Sequence, residues 1–148
     1  MATFSTVAAL IITTASIADG AGRKSAHVDN STDEYQRIHW YIRLRSGSVA
    51  PTVDTLYKIY GFREDDHATE YVTDGAATTN SALTATPENA HLIGTIVVTA
   101  DVNKYFYGEG VWEDPGPGRW GIGFMNETGQ TMHATEADGF IHWVGEKA

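Results

Sequence analysis

The chain has 148 residues, 42% apolar and 20% charged, with 15 glycines, 4 prolines and no cysteine. That size and balance fit one globular domain with its own core, and the missing cysteine removes disulfide frameworks, thiolate nucleophiles and cysteine-ligated zinc. A formal charge of −9 at pH 7 repels phosphate backbones and anionic lipid, so neither nucleic acid nor a membrane surface is an expected partner.

Phe4, Val7, Ala8, Ile11, Ile12 and Ala15 fit a helical spacing as well as an extended one. Branched residues decide between the two. Thr6, Val7, Ile11, Ile12, Thr13, Thr14 and Ile17 favour extended backbone, so residues 1–20 are expected to form an extended N-terminal arm. The apolar run Val7–Ile12 is far shorter than the roughly 20 residues of a membrane span. Ser16-Ile17-Ala18 has a small-x-small form, but nothing basic precedes it and no cleaved leader is expected. Asp19-Gly20-Ala21-Gly22 then turns into a strand over Arg23–Asp29.

From Tyr35 to Ser46 the residues alternate, with Ile38, Trp40, Ile42 and Leu44 on one side and Arg37, His39, Tyr41, Arg43 and Arg45 on the other. This period of two predicts a half-buried strand. Thr55–Phe62 is a second, and Glu64–Ala90 a long polar loop. His91–Thr99 and Asn103–Trp112 read as adjacent strands joined at Ala100-Asp101. Asp114-Pro115-Gly116-Pro117-Gly118 cannot continue a ladder and predicts a tight hairpin reversal into Arg119–Asn126, where Trp120, Ile122 and Phe124 oppose Gly121 and Gly123. Gln130–His133 is a short strand, and Gly139–Val144 closes the sheet. Seven to nine strands without a convincing helix predict a single all-β domain over 1–148, an antiparallel, jelly-roll-like β-sandwich.

Catalytic signatures are missing: the chain has no Gly-x-Ser-x-Gly elbow, no phosphate-binding Gly-Lys-Ser/Thr loop and no His-Glu-x-x-His. His27, His39, His67, His91, His133 and His142 show no local metal-ligand spacing. Glu64-Asp65-Asp66 could present oxygens to a hard cation, but without the calcium-loop pattern a solvated acidic turn is the better reading. Asp101, Glu109, Glu113 and Asp114 could supply an acid pair for glycoside hydrolysis, though nothing in their spacing sets a separation. No catalytic residue, cofactor or metal is therefore assigned. The sequons Asn30-Ser31-Thr32 and Asn126-Glu127-Thr128 read as turns.

Aromatic residues carry the strongest positive signal, with Tyr105, Phe106, Tyr107, Trp112 and Trp120 crowded around one expected hairpin. Alternation puts Tyr105 and Tyr107 on one face and Phe106 on the other. Tyr105, Tyr107, Trp112 and Trp120, with Arg43 and Arg45, are the candidates for a protein interface or a sugar-stacking platform. Charge is uneven along the chain: residues 1–63 hold seven basic and five acidic side chains, and residues 64–148 three and fourteen. The basic early strands could therefore face an acidic neighbour.

The segment Ala21-Gly22-Arg23-Lys24-Ser25-Ala26-His27-Val28-Asp29-Asn30-Ser31 resembles a stretch of small structural proteins of tailed-bacteriophage virions. Tyr107 to Ile122, with its Asp114–Gly118 turn, Trp120-Gly121-Ile122 and the later Asn126-x-x-Gly129 turn, is similar to β-sandwich proteins of the same kind. The resemblance implies a non-enzymatic part of the particle, capsid decoration first and neck or tail as alternatives, assembled in the host cytoplasm. Its implied partners are copies of itself and a major capsid or other virion protein. The polar 64–90 stretch departs from the pattern and leaves the station on the particle open. A carbohydrate-binding module is the competing reading.

Overall fold

A computed structural model describes residues 1–63, 80–83 and 90–148. The described residues form eleven strands: β1 (Thr3–Phe4), β2 (Ala8–Ala9), β3 (Gly22–Lys24), β4 (Val28–Asp29), β5 (Arg37–Arg45), β6 (Leu56–Arg63), β7 (Ser81–Leu83), β8 (His91–Val97), β9 (Tyr105–Glu113), β10 (Arg119–Glu127) and β11 (Phe140–Lys147). They make two packed antiparallel sheets. The first runs β1-β11-β5-β9, with β2 also on β11, and the second runs β7-β3-β10-β6-β8, with β4 also on β10. The all-β sandwich expectation holds. The count exceeds seven to nine because residues 3–29 pair in four short pieces rather than two long ones.

Pairing is nested along the chain. The earliest strands lie against the latest, β1 and β2 on β11 and β3 and β4 on β10, while β5 pairs with β9 and β6 with β8. This nesting corrects several local expectations. β8 and β9 follow one another in sequence but lie in opposite sheets, so Ala100-Asp101 is part of a crossover. The Asp114–Gly118 turn likewise carries the chain from β9 in one sheet to β10 in the other rather than closing a hairpin. The reason is burial: Trp112 and Trp120 both point into the core and meet edge to face, with ring centroids 6.1 Å apart, which strands facing each other across the core allow.

Core residues follow the alternation read in the sequence. Ile38, Trp40, Ile42 and Leu44 of β5 face Tyr57 and Ile59 of β6 and Trp120, Ile122 and Phe124 of β10. Glycines on β6, β8 and β9 make room for indoles. A Cβ at Gly94 or Gly110 would fall 2.6 or 2.7 Å from the Trp40 ring, and one at Gly61 would fall 2.6 Å from Trp112. Bare backbone thus lets a large ring lie flat against a strand.

The N-terminal stretch is extended, and it lies on its own sheet. β1 and β2 cover the free edge of β11, and Leu10, Ile12 and Ile17 enter the core, so β11 is interior rather than the closing edge. The expected Arg23–Asp29 strand breaks at Ser25, whose hydroxyl accepts from Ile122 N at 3.1 Å and donates to Ala26 O at 2.8 Å. Gln130–His133 contributes only a bridge from Met132 to Ser46. The loop expected over Glu64–Ala90 contains β7 at 81–83; its Glu64–Asp66 cluster lies outside the described residues. Both sequon asparagines are fully buried. Asn30 donates to Tyr35 O and Gly116 O, at 3.0 and 2.7 Å, and Asn126 donates to Ile17 O and Gln130 O, at 2.9 and 2.7 Å. Asn126 lies within β10 rather than in a turn.

Candidate docking face

The outer face of the first sheet is built on β5, whose odd-numbered residues point away from the core because its even-numbered ones fill it. Register sets their neighbours. On β9, Tyr105, Tyr107, Glu109, Val111 and Glu113 stand opposite Arg45, Arg43, Tyr41, His39 and Arg37. On β11, Phe140, His142, Val144 and Glu146 stand opposite Arg43, Tyr41, His39 and Arg37.

These side chains interlock. The Arg43 guanidinium lies between the rings of Tyr105 and Phe140, 4.8 and 4.6 Å from their centroids, and its Nε donates to the Asp138 carbonyl at 2.8 Å. Phe140 stacks on His142 at 4.2 Å, while Tyr41 leans on Phe140 at 5.7 Å and on Tyr107 at 6.0 Å. Stacked guanidinium and rings hold one another in a fixed arrangement at little further entropic cost.

Charged clusters bound the face at its two ends. At one end the Asp138 carboxylate pairs with Arg45 and accepts the Tyr105 hydroxyl at 2.9 Å. The Arg45 hydrogen bond, helped by Tyr105, holds the Asp138 carboxyl below its ordinary range. At the other end Glu146 meets His39 at 2.7 Å and Arg37 at 3.2 Å, and Arg37 also reaches Glu113 at 3.4 Å. The His39 contact, then Arg37, lowers the Glu146 carboxyl. Arg37–Glu113 is exposed and contributes about 0–1 kcal/mol, while the Arg45–Asp138 and His39–Glu146 contacts are half-buried, and all of them position long side chains. Between the ends lies a shallow groove of about 620 Å³, lined among others by Val7, Tyr41, Glu109, Val111 and His142. On the edge strand β9, Tyr107 remains 52% exposed and Val111 45%.

Of the six sequence candidates, the structure brings Arg43, Arg45, Tyr105 and Tyr107 together on this face. Trp112 and Trp120 do not belong to it: both are buried, Trp112 over Gly61 and Trp120 5.0 Å from Trp143, so the four-residue stacking platform is dismantled. They sit on the inward phase of their strands, opposite in parity to Tyr105 and Tyr107 in the case of Trp112. Sequence reasoning missed Phe140, His142 and Asp138 as members. The alternation of Phe140 and His142 with Ile141 and Trp143 was the available signal; Asp138 comes from a short 3-10 turn, Glu136–Asp138, and carries none.

Among the described residues, the arginines of β5 do not stand apart from acidic side chains. Arg37 and Arg45 are paired with carboxylates from the second half of the chain, because antiparallel pairing lays β5 between β9 and β11. Elsewhere Asp101 pairs with Lys104 at 2.9 Å and Asp114 with Arg63 at 3.6 Å. Glu109 and Glu113 share the outer face of β9, and Glu113 and Asp114 line one groove with Glu34 and Arg37. Among the described residues no group of three or more His, Cys, Asp or Glu side chains is arranged to hold a metal ion, and no helix is long and apolar enough to cross a membrane. The chain matches no protein-family model, and comparison with curated proteins and with solved structures finds no significant match.

Proposed function

We propose that this chain is a non-catalytic structural protein of a tailed-bacteriophage virion, docking through the outer face of the β1-β11-β5-β9 sheet. Capsid decoration is the preferred station, with the neck or tail as alternatives, and the particle, assembled in the host cytoplasm, is its proposed location. The observation that carries the reading is the outward row of Tyr41, Tyr107, Phe140 and His142 beside Arg43, in which Tyr41 and Tyr107 are exposed and Phe140 and His142 half-buried. Rigid aromatic and arginine side chains bounded by paired charges are what hot spots in protein interfaces consist of. The nested strand order, which we read as a jelly roll, supports a shell-associated role, as does the resemblance of Ala21–Ser31 to small virion proteins. No cofactor is assigned.

The test is co-sedimentation of the purified chain with shells of tailed bacteriophages. Retention that is lost in the Tyr41→Ala/Tyr107→Ala variant supports the reading. Failure to bind any shell, or binding indifferent to that variant, overturns it. Retention on polysaccharide gels, lost in the same variant, would replace it with the carbohydrate-binding alternative, now carried by these residues rather than by Trp112 and Trp120.

A further inference from the structure

We infer that the free edge of β9 is a strand-addition site, taken by an extended segment of another protein that sets a basic residue opposite Glu109. The edge lies beside the docking face but is a separate surface, so the inference stands without the virion reading. Hydrogen bonds at the two ends of β9 fix which backbone groups are free. Ser46 N donates to Lys104 O and Asp114 N donates to Gln36 O, each at 2.9 Å, and both pairs continue the β5–β9 register. Backbone direction alternates along a strand. Phe106, Gly108, Gly110 and Trp112 therefore bond to β5, while the N–H and C=O of Tyr105, Tyr107, Glu109, Val111 and Glu113 point away from it. None of those outward groups has a hydrogen-bond partner among the described residues.

The other described edges are guarded. β1 and β2 have two residues each and β7 has three, and β8 is interrupted by a register shift opposite Ile59 and Tyr60. β9 instead runs nine residues in unbroken register with β5 and holds no proline and no lysine, the devices that keep a sheet from adding strands. A bare edge of that length is a template for an incoming strand, whose main-chain bonds give affinity and whose alternate side chains give specificity. Charge chooses the occupant. Glu109 is exposed with no cation within ion-pair distance among the described residues, and Glu113 shares Arg37 with Glu146. β9 has no basic residue, so no register of β9 on a second copy's β9 supplies one, and each copy carries −9. A strand with Lys or Arg opposite Glu109 and Glu113, and apolar residues opposite Tyr107 and Val111, answers both acids and covers the exposed apolar groups between them.

Titration of the full chain with the peptide Lys-Thr-Val-Thr-Lys-Thr-Val-Thr-Val tests the inference, read by calorimetry and by amide hydrogen exchange. Laid antiparallel, the peptide sets its lysines opposite Glu113 and Glu109. Binding is expected, with slowed exchange at the Tyr107, Glu109 and Val111 amides. The peptide with glutamates in place of both lysines should bind at least about fivefold more weakly, and Glu109→Lys should reverse that preference. Val111→Pro removes an outward amide that the β5 ladder does not use, and should weaken binding at least about tenfold. Glu109→Lys keeps the test valid even if Val111→Pro fails to fold. No binding, or binding that leaves exchange at those amides unchanged and ignores Glu109→Lys, overturns the inference. A wild-type dimer in sedimentation equilibrium that Val111→Pro dissociates would make the occupant a second copy and overturn it as well. Shell binding that is lost in Tyr41→Ala/Tyr107→Ala bears on the virion reading alone.

Discussion

The two sheets turn different outer faces outward. On the second sheet Tyr60, Phe62, Leu83 and Met125 form a buried apolar cluster, with the Lys24 ammonium, itself buried, 5.6 Å from the Phe62 ring centre. Gly123 beneath it gives Phe62 bare backbone to lie on, since a Cβ there would fall 2.7 Å from the ring. On the first sheet a comparable density of aromatic groups is left open to solvent and braced by arginines. Similar strand sequences thus serve stability on one side and recognition on the other, and what separates them is whether the rings are covered.

Substitutions at the two faces should separate these roles. Phe62→Ala should cost about 3–5 kcal/mol of unfolding free energy in a denaturant titration, the range for an aromatic truncated in a core. Loss within the scatter of a surface site would mean that the second face is not a core at all.

Alkali tests the interior between the faces. Burial pushes the Tyr57 phenol up to about 12 from its ordinary 10.0, so its proton is held more tightly folded than unfolded. Stability should be unaffected below about pH 10 and fall by up to roughly 2–3 kcal/mol as pH rises from there to about 12, because the unfolded chain releases the proton first. Tyr57→Phe should flatten that part of the profile. Gly110→Ala probes the inward side of the docking strand: its methyl would meet the Trp40 ring, and a loss of about 1–3 kcal/mol is expected in the same titration.

Tyr107→Ala should stand at the other extreme, changing stability by no more than about 0.5 kcal/mol while weakening association. Acid should act more gently still. The depressed carboxyls of Asp138 and Glu146 contribute above their ordinary range, and that contribution fades as pH falls through their folded values. Near-ultraviolet circular dichroism of the face tyrosines should therefore change on acidification before the far-ultraviolet strand signal does.

Period-two alternation placed β5 and β10 and sorted Ile38, Trp40, Ile42 and Leu44 from Arg37, Tyr41, Arg43 and Arg45, while runs of branched and aromatic residues between turns placed β6, β8, β9 and β11, because side-chain direction and strand preference are local properties. The all-β class followed from the same local preferences. Tertiary structure alone decided which sheet each strand joined, since nothing near Ala100-Asp101 or Asp114–Gly118 says whether a turn stays in its sheet or crosses to the other. It also decided the fate of Trp112 and Trp120: an aromatic row reads the same inward or outward, and only the opposing sheet makes one side a core. The charge split along the chain vanished for a related reason. Pairing β5 between β9 and β11 mixes distant segments, so a surface field depends on which strands become neighbours rather than on their order in the chain.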